Sequence, residues 1–105
     1  MLNNYKGENM PKSFYKAIAD ANRRRILDLL RRDGTQSAGE IAKHFTISLP
    51  ALSEHLKILR EAGLISARKH KQFIYYSLNT SVFEDVASWI TKFISKKEVH
   101  NDETK

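Results

Sequence analysis

Apolar residues recur every three to four positions through most of this chain, and the spacing breaks in one place. Phe14, Tyr15 and Ile18 fall on one side of a short helix. Ile26, Leu27, Leu29 and Leu30 form the apolar face of a second, which Asp20 is suited to cap and Asp33-Gly34 to stop. Ile41, Ala42 and Phe45 mark a third, opened by Ser37 and Glu40 at capping-box spacing. Leu52, Leu56 and Leu59 line a fourth, which Gly63 ends. Its start is open by one residue: Ser48 is the better capping side chain, but Pro50 prefers the first helical position, which makes Leu49 the cap. After Gly63 the period changes to two. Leu64, Ile65 and Ala67 lead into Arg68-Lys-His-Lys71, and Gln72-Phe-Ile-Tyr-Tyr-Ser-Leu78 alternates in two sets. This predicts a hairpin with a cationic tip, with Ile74, Tyr76 and Leu78 facing inward and Phe73 and Tyr75 outward. Ser81 and Glu84 repeat the capping-box spacing, and Val82, Phe83, Val86, Trp89, Ile90, Phe93 and Ile94 give the last helix a broad apolar stripe.

The predicted order is α-α-α-α-β-β-α, mainly helical with a small β-hairpin. Two short helices meeting at a tight corner within residues 37–63 read as helix-turn-helix, and the hairpin that follows makes it a winged helix-turn-helix. A chain of 105 residues supports one core. The expected organisation is a flexible extension over 1–11, a DNA-binding and dimerisation domain over 12–95, and a flexible charged tail over 96–105.

Lysine and arginine number 18 against 12 acidic residues, a formal charge of +6 that draws the chain toward nucleic acid or an anionic membrane face. No apolar run approaches bilayer length and the N-terminal residues lack a signal core, so the expected location is cytoplasmic. The absence of cysteine excludes disulfides, thiolate metal sites and cysteine nucleophiles. No spacing joins a nucleophile to a base and its orienter, and no glycine-rich phosphate loop occurs, which argues against an enzyme.

The fourth helix divides by chemistry. Its leucines share one face, while Pro50, Ser53, Glu54 and Lys57 point the other way, short enough for base edges in a major groove about 12 Å wide. Ser53 donates or accepts, Glu54 accepts from a cytosine amino group, and Lys57 reaches guanine or phosphate; Leu49 and Pro50, next to Ser48, suit thymine methyl groups. Gln36 and Ser37 at the amide end of the third helix, Lys43, and the hairpin cations Arg68, Lys69 and Lys71 are the candidates for phosphate. Arg23, Arg24 and Arg25 sit at the helix end that disfavours cations, which reads as a solvated face or a site for an external anion. His55 borders the leucine face as a packed, hydrogen-bonded residue, and His44 stands near the corner within approach of a phosphate. His100 with Glu98, Asp102 and Glu103 is the one metal candidate and has a single imidazole, so no metal is expected. The stripe of the last helix suggests a symmetric seam of Phe14, Tyr15, Ile18, Val82, Phe83, Val86, Trp89, Ile90 and Phe93, with folding back onto its own core as the alternative.

Ala17-Ile-Ala-Asp-Ala-Asn-Arg-Arg-Arg-Ile-Leu-Asp-Leu-Leu30, Ser53-Glu-His-Leu-Lys-Ile-Leu-Arg-Glu-Ala-Gly-Leu-Ile65 and Phe73-Ile-Tyr-Tyr-Ser-Leu78 together resemble the ArsR/SmtB family of bacterial transcriptional repressors. The resemblance covers residues 12–95 and implies a homodimer, paired through its first and last helices, on a near-palindromic double-stranded DNA operator. Ser37 and Gly39 stand where arsenic-type members carry cysteines, and Glu84, Asp85, Ser88, Thr91 and Lys92 occupy the face that carries carboxylates and histidines in zinc-type members. No cofactor is therefore expected. Family wings usually turn on glycine, whereas His70 and Lys71 stand here; a left-handed L-residue costs ~1 kcal/mol, which predicts a longer or more mobile tip. The wing sequence Arg68-Lys69 and Gln72–Asn79 is similar to that of an autorepressor relieved by capture, implying a membrane-bound or other protein that lifts repression. The expected function is sequence-specific repression without a metal site. The alternatives are a metal- or small-ligand-responsive sensor, and a protein-interaction module whose winged helix no longer reads DNA.

Overall fold

Short-range capping chemistry sets the helix boundaries. In the computed structural model, which describes residues 12–103 with side chains through residue 94, the elements are α1 (Lys12–Ile18), α2 (Ala21–Asp33), β1 (Gln36–Ser37), α3 (Ala38–Ala42), α4 (Leu49–Glu61), β2 (Ile65–His70), β3 (Phe73–Leu78) and α5 (Ser81–Glu103). Asp20 caps α2 by accepting from the amides of Asn22 and Arg23 at 2.8 and 3.1 Å. Gly34, at φ +82°, ends it with an N–H bond to Leu30. Ser37 and Glu40 close a full capping box on α3. On α4 the open choice resolves to Ser48, whose hydroxyl accepts from Ala51 N–H at 3.2 Å; Pro50 then lies inside the first turn, where its missing donor costs nothing. At the other end Gly63 N–H bonds Arg60 and Leu64 N–H bonds Leu59, the paired bonds of a Schellman turn, and both leucines are fully buried.

The chain divides into two compact units, Pro11–Thr80 and one that contains α5. In the first, Ile26, Ile41, Leu59 and Leu64 are fully buried, with Ala17, Leu29, Leu30, Leu52, Leu56 and Ile65 around them. Phe14, expected at a dimer seam, is instead part of this core at 5% exposure, because α1 packs across both α2 and α4.

The expected two-stranded hairpin is a three-stranded antiparallel sheet in the order β1-β3-β2. Gln36 pairs with Tyr76 and Ser37 with Tyr75, so a strand precedes α3 that the predicted order lacks. Between β2 and β3 the register pairs Ile65 with Leu78, Ala67 with Tyr76 and Lys69 with Ile74, and cross-strand partners share a face. Ile65 is buried and Leu78 half-buried, but the ladder runs outward past the core. Ile74, expected inward, is 43% exposed for that reason. The tip is not longer than usual: it is a tight two-residue turn, Lys71-Gln72, with Lys71 at φ 58°. A positive φ at the first turn residue is the sign pattern of a type II′ turn.

In the second unit α5 continues past residue 95, so residues 96–103, expected as a tail, have helical backbone. Val86 is buried and thus unavailable to the seam predicted for it, whereas Ile90, Phe93 and Ile94 are exposed. Trp89 and Phe93, one helical turn apart, meet edge to face with ring centroids 5.2 Å apart. The expectations for residues 1–11 and for the side chains of Glu98, His100, Asp102 and Glu103 lie outside the described residues.

Candidate nucleic-acid interface

α4 is two-faced. Leu52, Leu56 and Leu59 are buried, while Ser48, Leu49, Pro50, Ser53, Glu54 and Lys57 are all exposed, Leu49 by 68%. An apolar residue so exposed at the first position of a helix has no use in the core, and with Pro50 it makes a small apolar nose beside a polar row. Lys43 is exposed at the C-terminal cap of α3. On the wing, Arg68, Lys69 and Lys71 are exposed, but strand alternation sends Arg68 and Lys69 to opposite faces. Arg68 shares its face with Tyr75, His70 and Phe73, whose rings lie 6.4 Å from the Tyr75 ring in edge contacts. This aromatic patch was implicit in the outward assignment of Phe73 and Tyr75, although no role was attached to it.

Two phosphate candidates are placed differently from expectation. Gln36 is 8% exposed because its pairing with Tyr76 turns it toward the core face of the sheet, and its side-chain amide nitrogen has no hydrogen-bond partner among the described residues. Ser37 is half-buried and committed to its cap: its N–H donates to Glu40 Oε1 at 2.9 Å and its hydroxyl accepts from Glu40 N–H at 3.1 Å.

Arg24 and Arg25 are exposed and Arg23 half-buried, and all three guanidinium groups make hydrogen bonds within the chain. Arg23 donates to the carbonyls of Ala17 and Lys16, both at 2.8 Å, and Arg24 to that of Ile18 at 2.7 Å. Cations at the unfavourable end of α2 thus serve the favourable end of α1, where carbonyls lack helical partners. Arg25 donates to the His44 carbonyl at 3.0 Å and lies 4.4 Å from the centre of the Phe45 ring, tying α2 to the corner before α4. His55, whose side chain is 15% exposed, has Nδ1 3.2 Å from Arg23 Nη1 and 4.0 Å from Asp20 Oδ1. Partial desolvation pushes the Asp20 carboxyl up, but the amide bonds from Arg23 and Asn22, with the nearby Arg23 charge, bring it below its ordinary value. Among the described residues no group of three or more histidines and carboxylates is placed to hold a metal ion.

Residues 20–67, from the Asp20 cap into β2, match the model of the bacterial regulatory protein arsR family. The chain is also 54% identical over 82 residues to the transcriptional repressor SdpR of Bacillus subtilis strain 168, spanning 78% of this chain and 90% of that one. This chain belongs to the arsR family. It is 36% identical to the arsenic resistance transcriptional regulator ArsR1 of Pseudomonas putida, over 69% of this chain but 56% of that longer one. A crystal structure of an ArsR family transcriptional regulator superposes with a TM-score of 0.75 at 28% identity, covering 83% of this chain and 89% of that one. As an arsR member the chain is a DNA-binding regulator of transcription with a winged helix-turn-helix fold, and not an enzyme. No described helix is long and apolar enough to cross a membrane.

Proposed function

We propose that this chain represses transcription by occupying, as a homodimer in the cytoplasm, a near-palindromic operator. The segregation of α4 carries the reading: three buried leucines on one side, Ser53, Glu54 and Lys57 exposed on the other. Ser53, Glu54 and Lys57 read base edges, and Leu49 and Pro50, next to the Ser48 cap, contact thymine methyls. Lys43, Arg68, Lys69 and Lys71 hold phosphates, with Ser37 contributing only through its position beside the backbone. Gln36 is left out of the set because it is buried. Repression, rather than activation, is supported by the name of the relative at 54% identity. Pairing uses what remains exposed or half-buried of the seam: Tyr15, Ile18, Val82, Phe83, Trp89, Ile90 and Phe93. Two such subunits read half-sites about one helical turn apart. A membrane-bound or other protein lifts repression.

A salt titration tests the reading. The duplex is the one the parent chain selects from a random library, compared with a scrambled duplex of equal length and composition. The proposal expects roughly 1,000-fold preference for the selected duplex and an affinity that falls steeply with salt. Equal affinity for both duplexes rejects sequence-specific repression in favour of a generic polyanion binder.

A further inference from the structure

The core face of α4 is unusual in one respect: beside its leucines it carries a polar side chain with a directional partner. His55 sits on the same helix as Ser53, Glu54 and Lys57, between Glu54 and the buried Leu56, but unlike that exposed row its side chain is only 15% exposed. Its Nδ1 lies 3.2 Å from Arg23 Nη1. Arginine has donors only, so the nitrogen accepts and the ring proton resides on Nε2. The same guanidinium is already fixed at two other points, Nε on the Ala17 carbonyl and Nη2 on the Lys16 carbonyl, both at 2.8 Å. A planar fork held at two nitrogens has no freedom left in the direction of the third. Asp20 completes the seat: it caps α2 through the Arg23 amide, which fixes the base of the arginine, and its Oδ1 lies 4.0 Å from the imidazole.

From these contacts we infer that Arg23 and His55 are positioning residues for sequence recognition: their bond sets the rotation of α4 about its axis and thereby aims Ser53, Glu54 and Lys57. Leucine packing supplies most of the burial and holds the helix by shape, but apolar burial is itself non-directional and offers no donor–acceptor axis. A hydrogen bond weakens steeply with angle. Because the anchor for that bond is the end of α1, the reading helix is registered against α1 as well as against α2. Neither residue touches DNA in this scheme. Both fall in the arginine run and the helix edge for which the repressor reading has no other use.

The inference rests on the proposal that α4 reads base edges, and the experiment separates the two. Parent, His55→Leu, His55→Asn and Arg23→Lys chains are titrated against the library-selected duplex and its scrambled counterpart, with thermal midpoints recorded for each. Asparagine places an acceptor where Nδ1 was; leucine keeps bulk and removes the acceptor; lysine keeps charge but not the three-point fork. The expected result is a loss of about tenfold for His55→Leu on the selected duplex, the size of one lost base-pair readout, with scrambled-duplex affinity unchanged within about twofold. His55→Asn is expected to recover most of that loss. Should His55→Leu lose its thermal transition, Arg23→Lys carries the same comparison. Equal losses on both duplexes, no recovery by asparagine, or parental affinity in both His55→Leu and Arg23→Lys overturns the inference. A parent chain that selects no sequence overturns the repressor reading itself.

Discussion

Lys71 holds φ at 58°, a region where an L side chain crowds the following carbonyl. The position asks for glycine and carries a cation instead, which is intelligible if the charge is worth more than the strain. Lys71→Gly is expected to raise stability by ~1 kcal/mol, a shift of a few degrees in thermal midpoint, while lowering the salt slope of duplex binding by about one phosphate contact. Calorimetry and a salt titration on the same protein check both halves. At Asp20 the sign of the pH effect follows from its depressed carboxyl. A folded value below the ordinary 3.8 contributes stability that is complete above that pH and is lost as pH falls through the lower folded value. Asp20→Asn keeps the cap and removes the titration, so its acid unfolding limb is expected to be flatter below about pH 4 than that of the parent, whereas Asp20→Ala loses ~1 kcal/mol at neutral pH. Urea melts across pH 2.5 to 7 distinguish the three proteins.

At the scale of elements, the helices were readable because their signals are local. The cap of α2, the capping box of α3 and the glycine that closes α4 each involve residues two to five positions apart, within reach of a spacing argument. β1 was not readable: two residues have no period, and their pairing to β3 depends on Tyr75 and Tyr76 far along the chain. The same distance hid the burial of Gln36 and the partners of Arg23, which lie on α1 and α4. Phe14 was assigned to the right face of its helix, but a single amphipathic face does not say whether its cover comes from the same chain or a second copy. For α4 itself, Leu59 is fully buried at the Schellman turn, and Leu59→Ala is expected to cost 2 to 5 kcal/mol, in the range of about one buried leucine truncated in a core. Denaturant unfolding with an unchanged m-value gives the figure.

At the scale of the whole molecule, a formal charge of +6 supplies attraction to any polyanion, and specificity must come from how the α4 face is presented. In the proposed dimer two copies present it at a fixed spacing, so weakening the pairing weakens recognition as well. Phe93 is 63% exposed, which makes it a safe site to change without opening a core. Phe93→Asp is expected to leave the thermal transition of the single chain in place, shift sedimentation toward monomer and reduce affinity for the selected duplex; an unchanged dimer rejects the seam. The most direct test of the account remains the reading face. Lys57→Ala combined with Arg68→Ala removes one base-edge and one wing contact, both at exposed positions, and is expected to bind the selected duplex about a hundredfold more weakly with sedimentation unaltered. Parental affinity in that double variant would contradict it.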